Sequence, residues 1–333
     1  VLGLVEPQSS GLGGGAFLVY YDAATGSLTT LDGRETAPLA ATPRLFQDEK
    51  GEPLGFFDAV VGGRSVGTPG TPALMEAAYA RWGTQPWPDL LERAITLAED
   101  GFPVSARLAG LVARDAERLG RFDTTAAYFL PDGMPLQEGQ TLVNTAYADT
   151  LRLMAEQGAD AFYTGAVAND IVSTVRRADG NPGVLSTLDL SIYRVKERAP
   201  VCAAFRAHDV CGMGPPSSGA LTVGQILGML DGYDLSAGPL DPDVRRLMGD
   251  ASRLAFADRG RYMADSDFVP VPVEGLVDPA YLAQRAALLQ GDDALPEVAP
   301  GAPEFDQAVS WADDTSIEVA STSHFVIVDA AGT

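Results

Sequence analysis

Apolar residues crowd two short runs near the start of the chain, Ala16-Phe17-Leu18-Val19-Tyr20-Tyr21 and Ser27-Leu28-Thr29-Thr30-Leu31-Asp32, separated by the turn-forming stretch Asp22 to Gly26. That pattern predicts a β-hairpin. From Pro72 to about Gln157 the spacing changes to a helical one, with Leu91, Ile95 and Ala98 on one face and Ser105 as an N-cap for a helix over 106–119. After a loop-rich zone at Gly180-Asn181-Pro182-Gly183, a second hairpin is expected over Val201 to Cys211, turning near Arg206-Ala207. Helices follow at about Gly219 to Leu230, Asp241 to Met263 and Asp278 to Leu289. An acidic, proline-containing stretch from Gly291 to Ser321 reads as an exposed, flexible connection, and Ser323 to Val328 returns to strand before a turn. Strands at both ends with helices between them predict an α+β fold in which distant segments share one sheet. No strong linker divides it.

Composition narrows the classes of function. The 333 residues are 46% hydrophobic and 20% charged, as in globular domains, and the net charge is −22 with only Lys50 and Lys196 as lysines. Nothing supplies the basic stripe that a nucleic acid or an anionic membrane surface needs. The uncharged part of Val210 to Leu230 is broken by Pro215-Pro216-Ser217-Ser218-Gly219 into a short strand and a short helix, so no membrane segment is expected. Two cysteines, Cys202 and Cys211, and two histidines, His208 and His324, match no zinc pattern, and no metal site is assigned. The second hairpin sets Cys202 opposite Cys211, either as a cross-strand disulfide in an oxidising compartment or as two buried thiols. The chain opens on Val1 and closes on Thr333 soon after an apolar run, which reads as a fragment cut at both ends.

Several short motifs compete for the chemistry. Gly11-Leu12-Gly13-Gly14-Gly15-Ala16 satisfies a dinucleotide fingerprint, but it precedes a strand rather than a helix and reads as a close-packing turn. Gly63-Arg64-Ser65-Val66-Gly67 matches a nucleophile elbow, yet Pro69-Gly70-Thr71-Pro72 delays the helix the elbow requires. Ser217 or Ser218 is expected as the N-cap of the helix that follows. Arg34, at the end of a strand in Asp32-Gly33-Arg34-Glu35-Thr36-Ala37-Pro38, can present a fork to a carboxylate or form an ion pair with Asp32 or Glu35. Ser321-Thr322-Ser323-His324-Phe325 is a plain strand start unless the chain is cut before Thr322. The freed threonine would then carry a nucleophilic hydroxyl and an α-amine of pKa about 7.7–8.0, suited to general-base work.

Taken in order, Val5-Glu6-Pro7-Gln8-Ser9-Ser10-Gly11-Leu12-Gly13-Gly14-Gly15, Leu31 to Pro38, Ser65-Val66-Gly67-Thr68-Pro69-Gly70, Gly214 to Gly219 and Thr322-Ser323-His324-Phe325 resemble the γ-glutamyltranspeptidases over essentially the whole chain. The resemblance implies an N-terminal-nucleophile αββα sandwich and a precursor that cleaves itself between Ser321 and Thr322, giving large-subunit residues 1–321 and the start of a small subunit at 322–333. It implies Thr322 as the nucleophile and Arg34 as the ligand of the γ-glutamyl α-carboxylate. Glutathione or another γ-glutamyl compound would be the donor, water or an amino-acid or peptide the acceptor, and the two subunits would form a heterodimer without cofactor. It also implies that most of the small subunit lies outside this chain, that the fragment alone is inactive, and that the protein is periplasmic or secreted. Ser323 departs from the family's usual second threonine but keeps the hydroxyl. A cephalosporin (glutaryl) acylase of the same architecture and a non-processing, non-catalytic relative are the alternatives.

Overall fold

A computed structural model describes residues 1–306, 309–314 and 322–333. It divides into two compact units, each discontinuous in sequence. The first is built mainly on Val1–Phe17 and Asp32–Lys196, and residues 322–326 group with it. The second is built on Leu18–Leu31 and most of the chain after Glu197.

The first hairpin forms as its pattern predicts, with β1 (Ala16–Asp22) and β2 (Ser27–Gly33) joined by a turn that the Asp22 carboxylate organises by accepting the Ala24 N–H at 2.9 Å. Helices α1 (Thr71–Trp82), α2 (Trp87–Asp100), α3 (Ala106–Arg114), α4 (Thr145–Gln157), α5 (Gly165–Arg176) and α6 (Thr187–Ile192) make the helical layer of the first unit. Leu91, Ile95 and Ala98 of α2 are buried, and α2 packs on α4, whose Ala148, Leu151 and Met154 enter the same core. Each such side chain contributes on the order of 1.5–3 kcal/mol where it is large and fully buried. Ser105 caps α3 by accepting the Leu108 N–H at 3.0 Å, but the helix breaks at Asp115 instead of running to residue 119. A two-residue pairing of Phe102–Pro103 with Thr141–Leu142 interrupts the stretch that reads as wholly helical.

The distant partner of the first hairpin is β3 (Lys196–Arg198), giving a sheet of order β1-β2-β3. The expected strand over Ser323 to Val328 is absent. Phe325, Val326, Ile327 and Val328 are 71–77% exposed and belong to no strand, while Asp329 to Thr333 makes the expected turn. An apolar run becomes a strand only where a neighbour supplies the opposing N–H and C=O groups. Among the described residues none does.

In the second unit β4 (Val201–Phe205) and β5 (His208–Gly212) form the second hairpin. Its register pairs Cys202 with Cys211, and their sulfurs are bonded. Helices α7 (Gly219–Leu230), α8 (Pro242–Tyr262) and α9 (Pro279–Ala286) build its core around Leu221, Met229, Leu254 and Leu276.

The stretch after α9, expected to be a loose connection, is fastened along α8 through much of its described length. Asp250 accepts the Leu295 N–H at 3.0 Å, Asp258 accepts the Gly301 N–H at 2.7 Å, and the Tyr262 hydroxyl donates to the Gly301 carbonyl at 2.6 Å. Further on, Trp311 packs edge-on against Tyr262, Arg261 pairs with Asp313, and the Asp314 N–H donates to the Gly260 carbonyl. Prolines and acids predict irregular backbone correctly, but anchoring depends on partners far away in sequence.

Candidate active site

Arg34 follows the last residue of β2, where the chain leaves the sheet. Its N–H donates to the buried Asp32 carboxylate at 2.8 Å and its carbonyl accepts the Tyr193 hydroxyl at 2.8 Å, so the backbone is pinned on both sides. The side chain is exposed, with the guanidinium 5.9 Å from the Phe17 ring centroid, at the outer limit of a cation–π contact. An ion pair with Asp32 or Glu35, the competing expectation, does not form. The Glu35 carboxylate accepts the Gly15 N–H at 2.7 Å instead, and among the described residues no carboxylate pairs with the Arg34 guanidinium.

Arg34 lines an open cleft of about 530 Å³ together with Gly13, Glu35, Thr36, Ala37, Ser65, Val66 and Gly67. Three stretches of the sequence meet here. The glycine-rich turn is close-packed: a Cβ on Gly15 would lie 2.7 Å from both the Arg34 Cα and the Glu35 nitrogen. Its Gly14 carbonyl accepts the N–H groups of Gly70 and Thr71 at 2.9 and 3.1 Å. Thr36, which lines the cleft, and Thr68 exchange backbone hydrogen bonds at 3.2 and 2.8 Å. Ser65 is no elbow nucleophile, since its hydroxyl donates to the Val60 carbonyl at 2.8 Å and no helix begins until Thr71. Buried Asn181 shapes that turn, donating to the carbonyls of Asp58 and Val61 and accepting the Gly63 N–H.

The other predicted residues lie elsewhere. Ser218 occupies the N-cap position of α7, but its hydroxyl makes no capping bond and accepts from Arg259 Nε at 2.9 Å. Ser217 accepts the Gly219 N–H at 3.3 Å. Thr322 is exposed, outside any helix or strand, and does not line the cleft; Ser321 lies outside the described residues.

The sequence profile of the γ-glutamyltranspeptidases matches residues 1–333. The chain belongs to the γ-glutamyltranspeptidase family. It is 36% identical to a protein of Bacillus subtilis (strain 168) named glutathione hydrolase proenzyme, over 99% of this chain and 57% of that one. It is also 36% identical, over the same shares, to acylase ACY 1 proenzyme of Pseudomonas sp. (strain SE83). The chain thus spans little more than half the length of these relatives. The crystal structure of Helicobacter pylori γ-glutamyltranspeptidase superposes with a TM-score of 0.85 at 36% identity, covering 90% of this chain and 86% of that one. The likeness to a γ-glutamyltranspeptidase structure and the mixture of helices and strands here agree on an α+β fold.

In this member of the γ-glutamyltranspeptidase family, Tyr193, which holds the Arg34 carbonyl, and Asp189, which holds the Leu39 N–H, escape a sequence reading. Tyr193 and Asp189 sit in and just after the six-residue helix α6, about 150 positions from the groups they bond. Asp189 could be found only as the second half of a capping box with Ser186, which gives no hint that its other oxygen reaches Leu39.

Proposed function

We propose that this chain is the major part of a self-cleaving γ-glutamyltransferase and glutathione hydrolase, with residues 1–321 as its large-subunit part and Thr322 opening the small subunit. The observation that carries the reading is Arg34, a cleft-lining residue whose backbone is fixed and whose exposed guanidinium has no carboxylate partner among the described residues. A planar fork held in that way suits the α-carboxylate of a γ-glutamyl group. In the precursor the Thr322 hydroxyl attacks the Ser321 carbonyl carbon, the peptide C–N bond breaks, and the nitrogen takes a proton to become the free α-amine of Thr322. Water hydrolyses the resulting ester, leaving a carboxylate on Ser321 and restoring the hydroxyl. In the mature enzyme the same oxygen attacks the γ-carbonyl of glutathione or a similar donor, with the α-amine taking the hydroxyl proton. The γ-amide C–N bond then breaks, the donor's nitrogen takes that proton from the α-amine and departs as an amine, and water or an amino-acid or peptide acceptor releases the γ-glutamyl group from its ester. The reading includes an αββα layering, association of the two subunits as a heterodimer, an oxidised Cys202–Cys211 pair and a periplasmic or secreted location.

N-terminal sequencing of the full-length protein tests the cleavage. Two subunits, the smaller starting at Thr322, are expected for wild type, and one uncut band for Thr322→Ala; an uncut wild type removes the mechanism. The equal identity to an acylase supports a second reading, in which a glutaryl side chain is the acyl donor. Comparing γ-glutamyl-p-nitroanilide with a glutaryl amide separates the two, and a preference for the glutaryl amide selects the acylase.

A further inference from the structure

The Arg34 carbonyl is held by a tyrosine that does not enter the cleft. Tyr193 is 7% exposed, and its ring stacks on Tyr163 with centroids 5.8 Å apart and planes 4° from parallel. The Tyr163 hydroxyl donates to the Pro69 carbonyl at 2.9 Å and accepts the Ala73 N–H at 3.2 Å. One stacked pair therefore holds the backbone of the cleft-lining Arg34 and that of Pro69, two residues after the lining Gly67. Gly70 marks how tightly the three parts meet, because a Cβ there would lie 2.2 Å from the Tyr193 hydroxyl and 2.0 Å from the Gly33 carbonyl oxygen. Burial pushes both phenols far above the ordinary tyrosine range, so both remain protonated donors at any working pH.

We propose that Tyr193, backed by Tyr163, is a positioning residue that fixes the reach of the Arg34 guanidinium and so sets the preference for donors bearing an α-carboxylate. The inference rests on the reading of Arg34 as the carboxylate ligand. A guanidinium selects by geometry only if its base is fixed. Here the N–H is held by Asp32 and the C=O by Tyr193, while the side chain keeps its donors for the ligand.

The test is Tyr193→Phe in the full-length protein, which removes one hydroxyl and keeps the stacked ring. Two donors are compared, γ-glutamyl-p-nitroanilide and its 4-aminobutyryl analogue, which lacks the α-carboxylate. Loss of one neutral hydrogen bond behind the ligand is expected to raise KM for the γ-glutamyl donor about 5- to 10-fold with kcat within about twofold. The ratio of kcat/KM between the two donors should fall by the same factor, with self-cleavage unchanged. Tyr163→Phe, which releases Pro69 but leaves Tyr193 on Arg34, should give a smaller shift of the same kind. An unchanged ratio, or an equal loss on both donors, overturns the proposal even if Arg34→Ala abolishes the preference. An Arg34→Ala protein that keeps the preference overturns the reading of Arg34 itself, and this inference with it.

Discussion

Asp258 accepts a hydrogen bond from Arg285 Nη2 at 3.1 Å where both residues are buried, and the same carboxylate takes the Gln225 amide, the Tyr281 hydroxyl and the Gly301 N–H. Four donors from α7, α9 and the segment beyond converge on one residue of α8. Removing one partner of such a pair leaves an uncompensated buried charge, so Asp258→Ala is expected to cost about 3–5 kcal/mol by urea denaturation. Limited proteolysis should then cut near Ala299 to Gly301, which wild type protects. A loss below about 1 kcal/mol would mean that the carboxylate is not the anchor.

Gly15 and Gly13 make a matched pair. A methyl on Gly15 meets Arg34 Cα and the Glu35 nitrogen at 2.7 Å, whereas a methyl on Gly13 finds nothing within 4 Å. Gly15→Ala should therefore destabilise by about 1–3 kcal/mol through forced backbone movement. Gly13→Ala should stay within about 0.5 kcal/mol of wild type. Equal melting shifts for the two would refute the close packing of the turn.

The first hairpin and the buried face of α2 were legible because their information is local: alternation, a turn-forming Asp22-to-Gly26 stretch, and one helical stripe. The run Phe325 to Val328 carries the same local signal for a strand, yet pairing is a property of two segments and no described partner exists. Asp250 and Asp258 fall in α8, where acids in a long polar helix look like a solvent face; both are buried and bond groups on other elements far away in sequence. Arg34 could be singled out by residue type. Its state could not, because whether Glu35 pairs with it is decided by a Gly15 N–H twenty residues earlier.

Arg34→Lys separates charge from shape at the cleft. A lysine keeps the positive charge but offers a point donor where the guanidinium offers a fork. Charge-assisted hydrogen bonds contribute about 1.5–3 kcal/mol, so Arg34→Ala should raise KM for a γ-glutamyl donor about 10- to 100-fold, with Arg34→Lys recovering only part of that. Self-cleavage followed on denaturing gels should proceed at the wild-type rate in both. Equal loss of cleavage and of donor binding would make Arg34 a structural residue.

Asp189 links acidity to the cleft wall. Its burial raises the carboxyl pKa, but the Leu39 N–H at 2.7 Å, the Ser186 hydroxyl and N–H at 2.6 and 2.8 Å and the charge of Arg176 outweigh it and hold the group below the usual carboxylate range. A folded-state pKa below the unfolded value of about 3.9 means that this stabilisation is fully present well above pH 4. It is lost as pH falls through the folded value. Protonation would put a hydrogen where an N–H already points, releasing either Ser186 at the start of α6 or Leu39, two residues beyond the lining Ala37. Urea midpoints measured from about pH 6 to pH 2.5 should therefore fall more steeply for wild type than for Asp189→Asn, which starts less stable by about 1–3 kcal/mol because its amide cannot accept all three bonds. Parallel curves would show that Asp189 does not titrate between the two states. If the variant instead steepened the fall, the depressed carboxyl would have to belong to another group.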